Sequence, residues 1–264
     1  MSGIESLIKD ISNSDITVRR SAVFKLGESK DPKALEGLVK ALSDSDDTIR
    51  ANAARGLGKI NNSQAVDPLI KALDDPNIRV KQNAAWALGK YKAKNAVDKL
   101  ITLVNPQFAI FTAHGDVGEG QIVQSEELKA QAVPNPDVVV KAIEALGEIG
   151  DPKALDVLYD ALTMDDLDSV KCAACIAIGK IGVMDATPKL FRPLNDSLWY
   201  VRRDAVIALG KLKDERAVPE LAKKLNDAFD EVKNNALKAL MEIGGSANKY
   251  LFKLFIKNPQ NVGC

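Results

Sequence analysis

The sequence predicts an all-α fold, an α-solenoid (α-α superhelix) of about seven helix pairs with one inserted loop or hairpin. A twelve-residue pattern, exemplified by VKQNAAWALGKY at 80–91, recurs at intervals of 31 or 32 residues, with one longer interval of 58. Each copy is followed by a second short apolar segment. A fixed period of this length indicates stacked structural repeats. The copies begin at Val18, Ile49, Val80, Val138, Val170, Val201 and Val232.

The recurring pattern predicts the first helix of each repeat. Apolar residues stand at i, i+4 and i+8, as in Val80, Ala84 and Leu88, which is the stripe of an amphipathic helix. A glycine follows the last of them, although glycine is unfavourable in a helix by about 1 kcal/mol relative to alanine. We therefore expect close backbone approach between the paired helices at these positions. The glycines are Gly27, Gly58, Gly89, Gly147, Gly179 and Gly210, and Met241 replaces the glycine in the last copy.

The second apolar segments, at 33–42, 64–73, 153–162 and 216–225, predict the second helix of the repeat. Asp31-Pro32 and Asp151-Pro152 open two of them as helix N-cap and first helical position. One helix pair cannot enclose its own apolar face, but stacked pairs share a continuous core. We expect a single solenoid over residues 1–264, with a half-repeat helix at 4–11 and a closing segment at 246–258.

The pattern D-x-x-x-x-V-R-x-x-A-x-x-A-L-G-x-I, seen in 196–212 and 44–60, resembles the short HEAT repeats of the phycobilisome-lyase-like family. The resemblance implies that the second helices line a concave side. It also implies a ladder of polar contacts between successive repeats, which lapses where Val139 replaces the basic residue. Partner binding by the same basic residues is the alternative. The ladder residues are Asp44, Asp75, Asp165, Asp196 and Asp227, with Arg19, Arg50, Lys81, Lys171, Arg202 and Lys233.

The longer interval marks an insertion at 105–136, between repeats three and four, with about 27 extra residues. FAIF at 108–111 and QIV at 121–123 are β-prone runs around HGDVGEG, which predicts a small hairpin, and Asp137 is a good N-cap for the next helix. One interpretation is an appendage that contacts a partner through Phe108, Phe111 and Ile122. The other is a tolerated flexible loop.

The insertion also contains the one histidine of the chain, and we considered a metal site there. His114, Asp116 and Glu119 stand at i, i+2 and i+5, a spacing that matches no recognised metal site. Polar side chains on an exposed turn need no bound ion to account for them, so we expect no metal and keep these residues only as candidates for partner binding. The glycines lack the GxGxxG spacing of a dinucleotide-binding loop.

Composition and charge argue against several classes of function. The 36 Lys+Arg residues balance 36 Asp+Glu residues, so no overall field attracts nucleic acid or an anionic membrane. The first residues show no targeting signal and no apolar run long enough to span a bilayer, so we expect a cytoplasmic protein. Three cysteines form no disulfide framework. Cys172 and Cys175 form a C-x-x-C in a first helix, where Cys175 takes a small apolar position and is expected to be buried, and Cys172 takes a variable position.

The second helices supply the other candidate binding residues. Basic residues recur at one position of the second helices, except where Thr102 and Asp160 occupy it, and acidic residues precede them by one helical turn. This spacing is typical of a helix surface whose charges neutralise each other. Aromatic residues near the later repeats, including Trp199 and Tyr200, are binding anchors or partly buried packing residues. The mixed charge favours a protein partner over a polyanion. The candidates are Lys40, Lys71, Tyr159, Arg192 and Lys223.

We therefore predict a non-catalytic protein-interaction scaffold without a cofactor, which binds a protein partner through the concave second-helix surface and the inserted loop. Resemblance to HEAT-type deoxyhypusine hydroxylase would require several His-Glu pairs, which a chain with one histidine cannot supply. The alternative is a lyase or chaperone-like subunit that attaches a tetrapyrrole-type prosthetic group to an acceptor protein. Pairing through FAIF, or through the apolar terminal helix around Tyr250, Phe252 and Phe255, would give a homodimer.

Overall fold

The computed structural model describes residues 3–104, 135–164 and 167–257. These residues are helical throughout, with short connections and no strand within the described ranges. They fall into two compact units, one ending at Ile149 and the other beginning at Gly150. The predicted hairpin of the insertion lies outside the described residues.

The first unit contains eight α-helices among the described residues, and the first and second helices of each repeat alternate along the chain. Helix α1 is the predicted half-repeat helix. A single 3-10 turn, as at Pro32–Ala34, precedes the second helix of each pair. The helices are α1 (Gly3–Asp10), α2 (Ile16–Ser29), α3 (Leu35–Ala41), α4 (Asp47–Ile60), α5 (Val66–Ala72), α6 (Ile78–Lys90), α7 (Val97–Val104) and α8 (Pro136–Ile149).

The second unit continues the same alternation, with one irregular repeat. In the fifth repeat, two 3-10 segments at Met184–Phe191 and Pro193–Asn195 stand where the second helix is expected. Pro188 and Pro193 explain this difference, because proline removes backbone donors and disfavours a continuous α-helix. The helices are α9 (Leu155–Ala161), α10 (Asp168–Ile181), α11 (Trp199–Leu212), α12 (Val218–Lys224), α13 (Asp230–Ile243) and α14 (Asn248–Lys257).

The core of each unit lies between neighbouring first helices and the second helices beneath them. In the first unit α2, α4, α6 and α8 pack in sequence, and in the second unit α10, α11 and α13 do so. Leu57, Leu88 and Leu209 are 0% exposed, so the predicted apolar seam is buried within both units. Full burial of a leucine side chain contributes about 2 kcal/mol relative to exposure.

The recurring glycines allow neighbouring first helices to approach closely, so the expectation of a close approach between the two helices of one pair is wrong. A Cβ atom built on Gly89 would lie 2.8 Å from the Cα of Ala145, and one on Gly179 would lie 2.8 Å from the Cα of Ala208. A side chain at either position would therefore push the neighbouring helix away. Glycine is required at these positions by packing between repeats, and not by the backbone conformation of its own helix.

The starts of the first helices differ between the two units. In the first unit an N-cap side chain accepts a hydrogen bond from the first turn, as Asp15 does from Thr17 N at 2.8 Å and Asn77 from Arg79 N at 2.9 Å. Leu167, Leu198 and Phe229 hold the same positions in the second unit, and no side chain caps those helices. Loss of a cap typically costs about 1 kcal/mol.

The prediction that Asp137 caps the helix after the insertion is wrong. Helix α8 begins at Pro136, and Asn135 accepts hydrogen bonds from Asp137 N at 3.0 Å and Val138 N at 3.4 Å. Proline is favoured at the first helical position because its missing N–H has no partner there in any case. The described helix thus extends into the last residue assigned to the 105–136 insertion.

Candidate protein-interaction surfaces

A ladder of ion pairs joins the loop before one first helix to the preceding first helix. The Arg50 guanidinium donates to both carboxylate oxygens of Asp75, 25 residues later, at 2.7 and 3.1 Å. Its third nitrogen donates to the carbonyl oxygen of Asp44 at 2.9 Å. Planar two-point contacts of this kind fix orientation as well as contribute energy. Other pairs with the same sequence separation are Arg19–Asp44, Lys171–Asp196 and Arg202–Asp227.

The residues of these four pairs are thus engaged within the chain. The pKa of Asp227 lies below its ordinary value, chiefly because Arg202 donates hydrogen bonds to the carboxylate. The carboxylates also accept backbone hydrogen bonds, as Asp75 does from Asn77 N at 2.8 Å. These contacts confirm the structural interpretation for four of the pairs. Asp165 lies outside the described residues, and Lys233 bonds to Asp230 in its own helix at 2.8 Å.

Three of the predicted basic residues are exposed on second helices. Lys40 on α3 donates to Ser12 Oγ at 2.9 Å, and Lys223 on α12 pairs with Glu220 at 2.6 Å. Lys71 on α5 is exposed as well. The helix faces opposite them are fully buried, which holds these side chains at the surface. The buried residues are Leu38, Leu69 and Leu221.

The remaining second-helix candidates lie in the second unit. Tyr159 on α9 is half-buried, and the Lys189 ammonium lies 5.4 Å from the centre of its ring. Burial, together with the charge of Asp156, raises the pKa of the Tyr159 hydroxyl. Arg192 is exposed between the two 3-10 segments. Tyrosine with a nearby cation is a common recognition surface in protein interfaces.

The insertion candidates Phe108, Phe111, His114, Asp116, Glu119 and Ile122 lie outside the described residues. The terminal helix is described in part: Phe252 is 67% exposed and Tyr250 is half-buried, whereas the Phe255 side chain lies outside the described part. Within the described ranges, no group of three or more His, Cys, Asp or Glu side chains is arranged to hold a metal ion. No described helix has the length and apolarity required to cross a lipid bilayer.

The C-x-x-C residues lie in a packed environment. Cys175 is 0% exposed, as predicted, and Cys172 is half-buried beside Asp204. Burial, aided by the nearby carboxylate, raises the pKa of the Cys172 thiol to about 12. Burial also raises the pKa of Cys175. Because the thiolate is the reactive form, both thiols are held in an unreactive state.

Aromatic residues make ring contacts that the sequence analysis did not predict, although Trp199 was among its candidate anchors. In the first unit Phe24 is 48% exposed and Trp86 is 39% exposed, with Arg55 and Lys90 near their rings. In the second unit Trp199 stacks on Phe229 with ring centres 5.7 Å apart. The contacts in the first unit could have been found from the sequence, because Phe24, Arg55 and Trp86 occupy the same position in successive repeats.

The protein is a helical repeat protein of the kind that presents an extended surface. Its helix pairs stack, a ladder of ion pairs joins them, and polar side chains are exposed on the second helices. The chain belongs to the HEAT repeat family. The family described as HEAT repeats matches residues 4–75, 35–110, 125–197, 161–241 and 187–260. A comparison with curated proteins finds no match.

Solved structures agree with this assignment. A chain from the complex of CpcE and CpcF of phycocyanin lyase from Nostoc sp. PCC7120 is 26% identical over 97% of this chain and 95% of its own, with a TM-score of 0.55. The predicted resemblance to phycobilisome-lyase-like HEAT proteins is thereby confirmed. YibA of Escherichia coli (20% identity, 96% and 86% coverage, TM-score 0.56) and an engineered protein (20%, 100% and 75%, TM-score 0.57) share the fold.

Proposed function

We propose that the chain is a non-catalytic scaffold that binds a protein partner through the exposed side chains of its second helices. The observation that carries this proposal is the repeated placement of Lys40, Lys71 and Lys223 at one exposed position, above fully buried leucines. Within the first unit, the packed repeats hold Lys40 and Lys71 one repeat apart, which favours recognition of an extended or helical surface.

The charges on these helices favour a protein over a polyanion. Exposed acidic residues stand four positions before two of the lysines, Glu36 before Lys40 and Asp67 before Lys71, and Glu220 pairs with Lys223. A polyanion would be repelled by these carboxylates, whereas a partner with both signs of charge can pair with them. The insertion at 105–136 is proposed to add Phe108, Phe111 and Ile122 as apolar anchors.

Affinity capture with variants tests the proposal. The double variant Lys40→Glu/Lys71→Glu reverses two charges on second helices of the first unit. Its matched control, Lys25→Glu/Lys211→Glu, makes the same charge change at exposed positions on first helices. We expect the first variant to lose the partner that the wild type retains and the control to keep it. Equal capture by both variants would contradict the second-helix surface.

A deletion of residues 106–134 tests the insertion separately. We expect reduced capture of the same partner, because the apolar anchors are removed while the helices on both sides remain. If the deleted chain captures the partner as well as the wild type does, the insertion has no part in binding.

A second candidate function is a lyase or chaperone-like subunit for attachment of a tetrapyrrole-type prosthetic group. The likeness to a chain of the phycocyanin lyase complex over 97% of this sequence favours it. Such a subunit would retain a coloured or fluorescent tetrapyrrole during purification and promote its attachment to a cysteine of an acceptor protein. A scaffold would be captured together with a protein partner but without a tetrapyrrole. Visible absorption of a tetrapyrrole in the captured complex therefore distinguishes the two functions.

A further inference from the structure

Helix capping differs between the two compact units of the chain. An aspartate or asparagine side chain caps all four first helices of the first unit, whereas no side chain caps the three first helices described in the second unit. A side-chain acceptor at the N-cap stabilises a helix, because it satisfies an N–H group that has no partner within the helix. The first helices of the second unit are therefore intrinsically less stable. The capping residues are Asp15, Asp46, Asn77 and Asn135, and the residues at the same positions of the second unit are Leu167, Leu198 and Phe229.

Packing of the apolar residues at these positions recovers part of the lost stability. Trp199 stacks on Phe229 with ring centres 5.7 Å apart and an angle of 17° between the ring planes. Phe229 nevertheless remains 42% exposed, and Leu167 and Leu198 are only partly buried. Because the stabilisation from burial scales with the apolar area removed from water, these contacts compensate only in part for three missing caps.

Repeat five adds a second weakness to the second unit. Two 3-10 segments, Met184–Phe191 and Pro193–Asn195, stand where the other repeats have a second α-helix. The 3-10 conformation has poorer hydrogen-bond geometry than the α-helix, and Pro188 and Pro193 supply no N–H donor. In the first unit, by contrast, α3, α5 and α7 are regular α-helices. The second unit thus contains a repeat of low intrinsic stability.

The number of stacked first helices favours the first unit as well. The stability of a repeat array is approximately the sum of the intrinsic stabilities of its repeats and of the interfaces between neighbours. The helices α2, α4, α6 and α8 form three successive interfaces in the first unit, whereas α10, α11 and α13 form two in the second. The ion-pair ladder does not reverse this order, because each unit contains two of the four described pairs.

From these observations we propose that the second unit is a locally unfolding element, which opens cooperatively while the first unit stays folded. Proteins open in contiguous cooperative units, and the unit of lowest stability opens first. Opening removes Lys223 on α12 from the protein surface and leaves Lys40 and Lys71 of the first unit in place. The opening therefore switches the second-helix surface between a longer and a shorter form. The opening itself does not rest on the proposed partner binding.

Tryptophan fluorescence reports on each unit separately, because Trp86 lies on α6 and Trp199 on α11, and the chain has no other tryptophan. The variants Trp199→Phe and Trp86→Phe each keep one reporter, in a unit of unaltered sequence. Both full-length chains are unfolded in urea. We expect the Trp199 transition at a urea concentration at least about 0.5 M below that of Trp86. Coincident transitions, or a Trp86 transition at the lower concentration, would overturn the proposal.

Matched core substitutions test whether the two units unfold separately. Leu57 and Leu209 occupy the same repeat position, one in each unit, and both are 0% exposed. Leu57→Ala should lower the urea midpoint reported by Trp86 by about 1 M or more and leave that reported by Trp199 unchanged. Leu209→Ala should do the reverse. A substitution that lowers both midpoints equally would show a single cooperative fold and contradict the proposal.

Asp15→Ala is a milder variant that is informative even if a leucine variant fails to fold. It removes the cap of α2, where the Asp15 carboxylate accepts a hydrogen bond from Thr17 N at 2.8 Å. We expect the Trp86 midpoint to fall by about 0.5 M and the Trp199 midpoint to stay unchanged. A fall at both tryptophans would contradict separate opening, and a fall at neither would contradict the contribution of the caps on which the proposal rests.

Discussion

Arg202 donates to both carboxylate oxygens of Asp227, at 2.8 and 2.7 Å, and its remaining nitrogen donates to the carbonyl oxygens of Asp196 and Ser197, each at 2.9 Å. One side chain thereby joins its helix to the loop just before that helix and to the loop before the next first helix. The pair is largely shielded from solvent, with side-chain exposures of 11% and 6%. The ladder is therefore a structural element of the repeat.

Replacement of Arg202 by methionine should destabilise the chain by about 2 kcal/mol, because it leaves the Asp227 carboxylate and two carbonyl groups without a charged donor. The matched control is Lys223→Met, which removes an exposed ion pair and should change stability by less than about 0.5 kcal/mol. Urea denaturation followed by circular dichroism measures both. Equal effects of the two substitutions would show that the ladder contributes no more than a surface pair.

The same pair predicts a dependence on pH. Since the pKa of Asp227 is lowered in the folded chain, chiefly by Arg202, its contribution to stability is complete above the ordinary aspartate pKa of about 4. It is lost as the pH falls below that value through the lowered pKa. The stability difference between the wild type and Arg202→Met should therefore be large at pH 7 and shrink as the pH falls below about 4. A difference that stays constant down to pH 2 would contradict this.

Gly179→Ala should destabilise the second unit although alanine favours the helix by about 1 kcal/mol. The new Cβ would lie 2.8 Å from Ala208 Cα and 3.1 Å from its Cβ, so α10 and α11 would have to separate. Overpacking of this kind costs about 1 to 3 kcal/mol. Gly3→Ala, where no atom lies within 4 Å of the added carbon, is the control and should be neutral or slightly stabilising. Thermal denaturation distinguishes the two, and a raised melting temperature for Gly179→Ala would count against the close approach.

The C-x-x-C pair should be unreactive in the folded chain. In a Cys264→Ser background, the burial that raises the Cys172 pKa to about 12 leaves little thiolate at pH 8. We expect slow alkylation by iodoacetamide under native conditions and modification of two thiols after unfolding, counted by mass spectrometry. Rapid native labelling of Cys172 would mean that the thiol is activated.

Repeat alignment predicted the buried seam, and the resemblance to short HEAT repeats implied the ladder. Both depend on residues that recur at a fixed position. Arg50 and Asp75 stand in the same places in their repeats as Arg202 and Asp227, so one pair predicts the next. The start of α8 was misplaced by two residues, although Asn135-Pro136 carries the signal of a cap followed by a proline at the first helical position.

The missing caps of the second unit were visible in the aligned repeats, where leucine or phenylalanine stands in place of the aspartate or asparagine of earlier repeats. The stacking of Trp199 on Phe229 was not visible, because it joins residues 30 positions apart whose rings can meet only after the helices are placed. Likewise, Pro188 and Pro193 disfavour a continuous helix in repeat five, but the sequence does not show that 3-10 turns take its place.

The account rests on the second helices as the partner-binding surface. Hydrogen–deuterium exchange of the chain, alone and with its captured protein partner, tests this directly. We expect the partner to slow exchange in peptides covering α3, α5 and α12. Unchanged exchange in all three helices in the presence of a saturating partner would contradict the account.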